Sequence, residues 1–287
     1  MEVANISSTH HLNLVRLIGF CSEGRHRLLV YEFMKNSSLD TFLFSSSDQS
    51  RILDWDKWFG IALGTTRGIA YLHGECRDCI VHCDVKPENI LLDDNFSAKV
   101  SDFGLSKLIS RKGRRKRSMT SVRGTRGYLA PEWLANLPIT TKSDVFSYGM
   151  VLLEIISGKR NFDTLTSRRK KFSLWAFEEF ESGNILNITD EKLGRDLNID
   201  EVNRALQVSF WCIQEHPSQR PTMGKVVQML EGIFPMEKPP APKSLESFES
   251  STSGSGSASE MAISVLATPS HPVSSISSVS ATLSSGL

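Results

Sequence analysis

The sequence predicts an α+β protein of two lobes, in which a small β-containing part precedes a mostly helical part. Two short β-rich runs, 14–21 and 27–34, lie near the start of the chain. They are separated by Ser22-Glu23-Gly24, which is typical of a hairpin turn. From Trp55 onward, apolar residues recur with the period of a helix.

Three stretches, 55–70, 145–156 and 223–230, each place their apolar residues on one helical face. Short strands are expected around 90–92 and 98–100, between the first two of these helices. The early strands and the later helices together support the two-lobed arrangement.

A change of composition near Lys238 divides the chain into a folded domain, 1–237, and a tail, 238–287. The tail opens with several prolines and continues as a serine-dominated stretch. Such a segment buries too little apolar surface to offset the conformational entropy lost on ordering. We therefore expect residues 238–287 to be disordered.

Charge and cysteine content limit the class of protein. The chain has 33 basic and 32 acidic residues and a net charge of +1, so no nucleic-acid partner is expected. No apolar run reaches the roughly 18 residues of a membrane span, and no signal peptide is recognisable. The odd count of five cysteines favours free thiols in a reducing, cytoplasmic setting.

Two local patterns leave alternatives open. Cys76-x-x-Cys79 has the spacing of a zinc or redox motif, but no second pair of cysteine or histidine residues stands at ligand spacing. The basic run 111–117 suits a nucleic-acid patch or a nuclear signal, and a solvated, flexible loop is the simpler interpretation.

The chemistry is concentrated in residues 80–104, with the sequence IVHCDVKPENILLDDNFSAKVSDFG. Asp84 and Asn89 stand five residues apart on a predicted loop, and Asp102 follows the next strands. These side chains supply hard oxygen ligands for a metal ion and a proton acceptor. Lys86 adds an ammonium group. Phosphoryl transfer requires this combination, because it depends mainly on positioning and on charge.

This stretch resembles the catalytic loop and the Asp-Phe-Gly motif of the eukaryotic protein kinases. The resemblance implies a protein-kinase-like two-lobed fold and the cofactors ATP and Mg²⁺. By position, Asp84 corresponds to the catalytic base and Lys86 to the γ-phosphate contact. Asn89 corresponds to the second metal ligand, and Asp102 to the principal Mg²⁺ ligand.

The resemblance extends to residues that support the loop. His82 corresponds to a histidine packed beneath it, and Asp144 to a buried aspartate that braces it. Alternatively, Asp144 could complete a Thr141-x-x-Asp144 capping box. Glu132 ends an Ala-Pro-Glu motif that closes the activation segment, and Arg220 corresponds to the arginine that pairs with it.

Residues around the catalytic aspartate indicate substrate class and regulation. Lys86, two residues after Asp84, and the Gly124-Thr125 pair resemble serine/threonine kinases, so protein substrates with serine or threonine are implied. Cys83 replaces an arginine that normally pairs with a phosphorylated activation loop. We therefore expect activity to depend less on loop phosphorylation. The candidate phosphorylation sites are Ser118, Thr120, Ser121 and Thr125.

Residues 10–43, 124–162 and 220–233 are similar to plant receptor-like kinases, especially the G-type lectin S-receptor-like group. On that basis Tyr31 is the gatekeeper, and the backbone from Glu32 to Met34 is the hinge that contacts adenine. Full-length members of this group are single-pass receptors at the plasma membrane.

The resemblance also predicts a departure from the family pattern. Glu2 falls at the helix C glutamate, so we expect the given sequence to lack the glycine-rich loop and the lysine that clamp ATP. Weak phosphate binding follows if those donors are missing. The alternative to an active kinase is then a catalytically inactive fragment that serves as a binding or scaffold module.

Overall fold

The computed structural model describes residues 9–44, 53–109, 124–135, 137–162, 172–193 and 197–242. Within these ranges the α+β prediction is confirmed. The helices are α1 (Asp40–Leu43), α2 (Trp55–Gly74), α3 (Pro131–Leu134), α4 (Thr141–Ser157), α5 (Phe172–Glu181), α6 (Ile185–Ile188), α7 (Ile199–Cys212) and α8 (Met223–Leu230). The strands are β1 (Leu17–Glu23), β2 (His26–Tyr31), β3 (Cys79–Val81), β4 (Ile90–Leu92), β5 (Ala98–Val100) and β6 (Lys107–Ile109).

The first hairpin forms as predicted, but its turn lies later in the chain. Ser22 and Glu23 belong to β1, where they pair with Arg27 and His26 of β2. The reversal occurs at Gly24, whose φ of +52° is in the left-handed region that glycine adopts without a steric penalty. The turn therefore begins two residues later than predicted, because Ser22 and Glu23 continue the pairing of β1 with β2.

The strand prediction for 90–92 and 98–100 is confirmed by the antiparallel β4–β5 pair. Asn13 joins this pair to the N-terminal part of the chain, since its side-chain amide donates to the Ala98 carbonyl at 2.9 Å. A Cβ built on Gly68 of α2 would lie 2.6 Å from the Asn13 carbonyl oxygen. Glycine at this position therefore allows α2 to lie directly against the connecting segment.

The core is built around α2 and α4, which the helical periodicity predicted. α2 begins at Asp54, whose side chain accepts a hydrogen bond from the Lys57 amide. α4 is almost entirely buried and packs against α2 and α7. Tyr148 of α4 donates its hydroxyl to the Ala62 carbonyl of α2 at 3.1 Å, which links the two helices in the interior.

The chain remains attached to the helical part beyond the predicted boundary at residue 237. Pro239 and Pro242 are buried, and the Gln214 side chain donates to the Pro240 carbonyl at 2.9 Å. The rest of the predicted tail lies outside the described residues, as do Glu2, the basic run 111–117 and the candidate phosphorylation sites Ser118, Thr120 and Ser121. In the described part, no helix combines the length and apolar character of a membrane span.

Candidate active site

Short strands bring the predicted catalytic loop and the Asp102 turn together. β3 leads into the loop that carries Asp84, and a single 3₁₀ turn, Pro87–Asn89, leads on to β4. After β5, the Ser101 amide and hydroxyl donate to the Asn89 carbonyl at 2.9 and 3.0 Å. Because Ser101 directly precedes Asp102, these two bonds tie the Asp102 turn to the catalytic loop.

The Asp84 carboxylate is held by three neighbours. The Thr125 hydroxyl donates to Asp84 Oδ1 at 2.8 Å, and the Lys86 ammonium lies 3.0 Å from Asp84 Oδ2. Lys86 also donates to the Thr125 hydroxyl at 3.0 Å. The Asn89 side-chain amide donates to the Asp84 carbonyl and to Asp84 Oδ2, at 2.9 and 3.1 Å. The structure thus brings three of the predicted site residues together around the carboxylate of a fourth, Asp84.

These bonds fix the direction of the Asn89 amide. Its nitrogen faces Asp84, so its oxygen is the atom left to serve as a ligand. The backbone of Asp102 lies in the left-handed region with φ of 58°, and Asp102 is exposed to solvent. No hydrogen bond among the described residues joins Asp102 to Asp84 or Asn89. Strained backbone of this kind is common at functional sites. One carboxylate oxygen of Asp102 accepts a hydrogen bond from the Gly104 amide at 3.2 Å, on an exposed turn.

His82 connects the catalytic loop to the Asp102 turn. The Asp84 amide donates to His82 Nδ1 at 3.2 Å, so that nitrogen carries no proton. His82 Nε2 then carries the proton and donates to the Ser101 carbonyl at 2.8 Å. The ring also lies 5.2 Å from that of Phe103. The His82 ring therefore links the catalytic loop to the strand end before Asp102 and spans the base of the site.

Asp144 lies at the start of α4 and is fully buried beneath the loop. It accepts hydrogen bonds from the amides of His82 and Cys83 at 2.7 and 2.8 Å, and its carboxylate lies 2.8 Å from His73 Nε2. Burial by itself would raise the pKa of Asp144. The hydrogen bond and charge of His73, together with the Cys83 backbone amide, outweigh that effect and lower the pKa. Sequence inspection missed His73, because nothing in its local pattern indicates a partner in α4.

The capping-box alternative for Asp144 is wrong. Thr140, not Thr141, caps α4, and its hydroxyl accepts from the Lys142 amide at 3.2 Å. Asp144 instead directs its carboxylate across to the loop, as described above.

Cys83 occupies a left-handed backbone position, with φ of 71°, and is buried. It packs with Val81 and Trp133, and burial raises the pKa of its thiol strongly. Lys107 of β6 lies over the Trp133 ring, 5.1 Å from its centre. An apolar cluster with a stacked lysine therefore stands at the position where the resemblance predicts an arginine.

Glu132 and Arg220 form a buried, bidentate ion pair with distances of 2.8 and 2.7 Å. The guanidinium also donates to three backbone carbonyls, those of Lys142, Gln214 and Glu215. This pair anchors the end of the 124–135 segment, whose beginning holds Thr125 against Asp84.

The predicted hinge follows β2. The Glu32 amide donates to the Arg16 carbonyl at 3.1 Å, and its carboxylate accepts from the Arg16 amide and lies 3.3 Å from the Lys99 ammonium. Tyr31 is half-buried and Met34 is buried. The Glu32 side chain therefore fastens the hinge to Arg16, the residue before β1, and to Lys99 of β5.

A second buried network, which the sequence did not predict, lies under the segment after Thr125. The Tyr128 hydroxyl lies 3.0 and 2.8 Å from the two carboxylate oxygens of Glu154, and the backbone amide of Asn161 donates to Glu154 at 2.8 Å. Burial raises the pKa of Glu154 to about 8, and nearby Glu88 adds to the shift. Burial also raises the pKa of Tyr128.

Glu154 should make stability depend on pH. Its pKa in the folded chain lies above the ordinary value of 4.5, so its contribution is complete at low pH and is lost as pH rises through about 8. We expect the unfolding free energy of Glu154→Gln, relative to the original chain, to increase between about pH 5 and pH 8. The steepest rise should reach about 1.4 kcal/mol per pH unit, measured by urea unfolding. Parallel pH profiles for the two proteins would contradict this assignment.

Comparison with known proteins gives one family. A family model described as "Protein kinase domain" matches residues 1–230. A G-type lectin S-receptor-like serine/threonine-protein kinase of Arabidopsis thaliana is 68% identical over 248 residues, which cover 85% of this chain and 30% of that relative. A second such kinase from the same plant is 54% identical over 248 residues, covering 86% of this chain and 30% of the relative.

A similar kinase of Oryza sativa subsp. indica is 48% identical over 246 residues, which cover 85% of this chain and 30% of that relative. The chain thus spans about 30% of the length of these curated relatives.

Proposed function

Because this chain belongs to the protein kinase family, we propose that it transfers the γ-phosphate of ATP to serine or threonine hydroxyls of protein substrates. The observation that carries the proposal is the Asp84 carboxylate, which Thr125, Lys86 and Asn89 hold in one orientation at the catalytic loop. The relatives described above are named receptor-like kinases, so we extend the proposal to signalling of that kind, with residues 1–237 as the catalytic domain.

In the proposed reaction, Asp84 orients the acceptor hydroxyl and takes its proton. The hydroxyl oxygen forms a bond to the γ-phosphorus, the bond from that phosphorus to the bridging oxygen breaks, and ADP leaves. Lys86 supplies positive charge to the transferring group, and its contact with Thr125 keeps the ammonium beside the Asp84 carboxylate. The Glu32–Met34 backbone would receive the adenine.

The side chains present fit the binding of Mg²⁺. Asn89 has its amide oxygen free of the bonds that fix its nitrogen, and Asp102 offers an exposed carboxylate on a strained turn. Both are the hard oxygen ligands that Mg²⁺ prefers. When bound, the metal would neutralise charge on the phosphates.

The test measures Mg²⁺-ATP binding and phosphate transfer to a serine peptide by purified residues 1–287. We expect Asp102→Ala to weaken the Mg²⁺-dependent binding. We expect Asp84→Asn to reduce transfer by about 100-fold, because the proton acceptor is lost.

Asp94→Asn is the matched control, since Asp94 is an exposed carboxylate in a surface ion pair with Lys35. It should leave both measurements unchanged. Transfer that is equal in the original chain and in Asp84→Asn, or absent from both, would contradict the proposed function.

A further inference from the structure

The segment that follows α4 lies against the segment that positions Thr125. Gly158 ends the helix in the left-handed region with φ of 62°, so the chain turns back at that point. The backbone amide of Asn161 then donates a hydrogen bond to Glu154, and the Phe162 Cβ lies 3.0 Å from a Cβ built on Gly127. Arg160 is thereby carried to the side of the catalytic loop.

The Arg160 guanidinium contacts two groups there. Its Nη1 lies 3.1 Å from Oε1 of Glu88, the residue that directly precedes Asn89. The guanidinium carbon lies 4.0 Å above the centre of the Phe44 ring, a distance suited to a cation–π contact. An acid and an aromatic face thus form a receptor for a guanidinium, and the chain fills that receptor with its own arginine.

The local charge balance supports this view of Arg160. Burial and the Glu88 charge raise the pKa of Glu154, and the Arg160 charge opposes that rise, so Arg160 offsets negative charge beside the loop. Oε2 of Glu88 is buried without a hydrogen-bond partner among the described residues. Without Arg160, the receptor would hold negative charge beside the loop and would favour another cation.

We propose that Arg160 is a specificity-determining residue that blocks an acidic receptor beside the catalytic loop. It thereby disfavours substrates with arginine or lysine near the serine or threonine hydroxyl that accepts the phosphoryl group. This inference rests on the proposed function, because Arg160 can select substrates only if the chain phosphorylates serine or threonine. Discrimination arises because a second guanidinium would have to displace Arg160 from Glu88 and Phe44 or lie unpaired next to it. Side chains that are neutral or acidic do not compete for these groups.

The experiment uses serine-centred peptides in which each flanking position is alanine or arginine. Binding to residues 1–287 is measured by fluorescence anisotropy, and phosphate transfer is measured in parallel. For Arg160→Ala, we expect the ratio of arginine-peptide to alanine-peptide affinity to rise by roughly fivefold at one or more positions, as expected for one ion pair with a cation–π contact.

Two further variants separate charge from structure. Arg160→Lys keeps a cation and should retain the original ratio, whereas Arg160→Ala combined with Glu88→Gln should lose the gain. Arg160 is about half exposed, at 45%, so thermal melting should show that these variants fold.

The outcomes distinguish this inference from the proposed function. A changed binding ratio without phosphate transfer by any variant would support the role of Arg160 and contradict the kinase proposal. Transfer with the same arginine-to-alanine ratio in the original chain and in Arg160→Ala would overturn the role of Arg160. Failure of every variant to bind any peptide would overturn it as well.

Discussion

Replacement of Arg220 by alanine is expected to destabilise the folded chain by about 3–5 kcal/mol. Arg220 has a relative exposure of only 1%, and its guanidinium is paired with both oxygens of Glu132. Removal of the arginine would leave the Glu132 carboxylate buried with the Ser143 hydroxyl as a donor but with no cation. Urea unfolding of Arg220→Ala measures the loss directly.

A surface pair of equal length provides the control. Arg67 and Glu231 also lie 2.7 Å apart, but the Arg67 side chain is 49% exposed. Water and salt screen such a pair, so Arg67→Ala should cost less than about 1 kcal/mol. Similar losses for Arg67→Ala and Arg220→Ala would contradict the view that burial gives the Glu132–Arg220 pair its importance.

A double-mutant cycle tests whether Glu132 and Arg220 act as one unit. If they do, Glu132→Ala combined with Arg220→Ala should cost less than the sum of the two single changes. The first single variant leaves a buried cation and the second a buried anion, whereas the double variant leaves neither. An additive result would show that Arg220 acts mainly through the carbonyls of Lys142, Gln214 and Glu215.

The parts of the fold that the sequence predicted are those with a local signal. β4 and β5 have the predicted bounds, because two short apolar runs flank an Asp-Asp-Asn turn. α2 and α4 follow from helical periodicity. The capping-box alternative placed the cap of α4 at Thr141, one residue too late, since Thr140 and Thr141 are adjacent and both are able to cap a helix.

The residues of the candidate site likewise divide into those with a local sequence signal and those without one. Asp84, Lys86 and Asn89 were found because the loop places them within six residues of one another. The Tyr128–Glu154 network and the contact between His73 and Asp144 were missed, since their partners lie on different elements. Which groups meet there depends on how α2, α4 and the 124–135 segment pack, and neither periodicity nor spacing specifies that packing.

Asp144 should be nearly as important to the fold as Arg220, and it acts directly on the catalytic loop. Asp144→Ala removes the acceptor for two buried amides, those of His82 and Cys83. Each unsatisfied buried donor costs about 1–3 kcal/mol, so a loss of roughly 3–5 kcal/mol is expected. Cys83 is also held at a positive φ, and without the Asp144 bond its backbone would relax.

Asp144→Asn separates the shape of the side chain from its capacity to accept hydrogen bonds. The amide has one oxygen, so one of the two loop donors would face an NH₂ group. The unfolding free energy of Asp144→Asn should therefore lie between those of the original chain and Asp144→Ala. Asp54→Ala is the matched control, because Asp54 accepts a single exposed amide, that of Lys57, and should cost about 1 kcal/mol.

Amide hydrogen exchange at His82 and Cys83 distinguishes a local effect from a global one. In Asp144→Asn these two amides should exchange faster than those of β4, since the loop opens without unfolding of the sheet. Equal acceleration at both places would mean that Asp144 supports the whole fold and not the loop alone. Unchanged exchange at His82 and Cys83 would contradict the claim that this buried carboxylate fixes the backbone that carries Asp84.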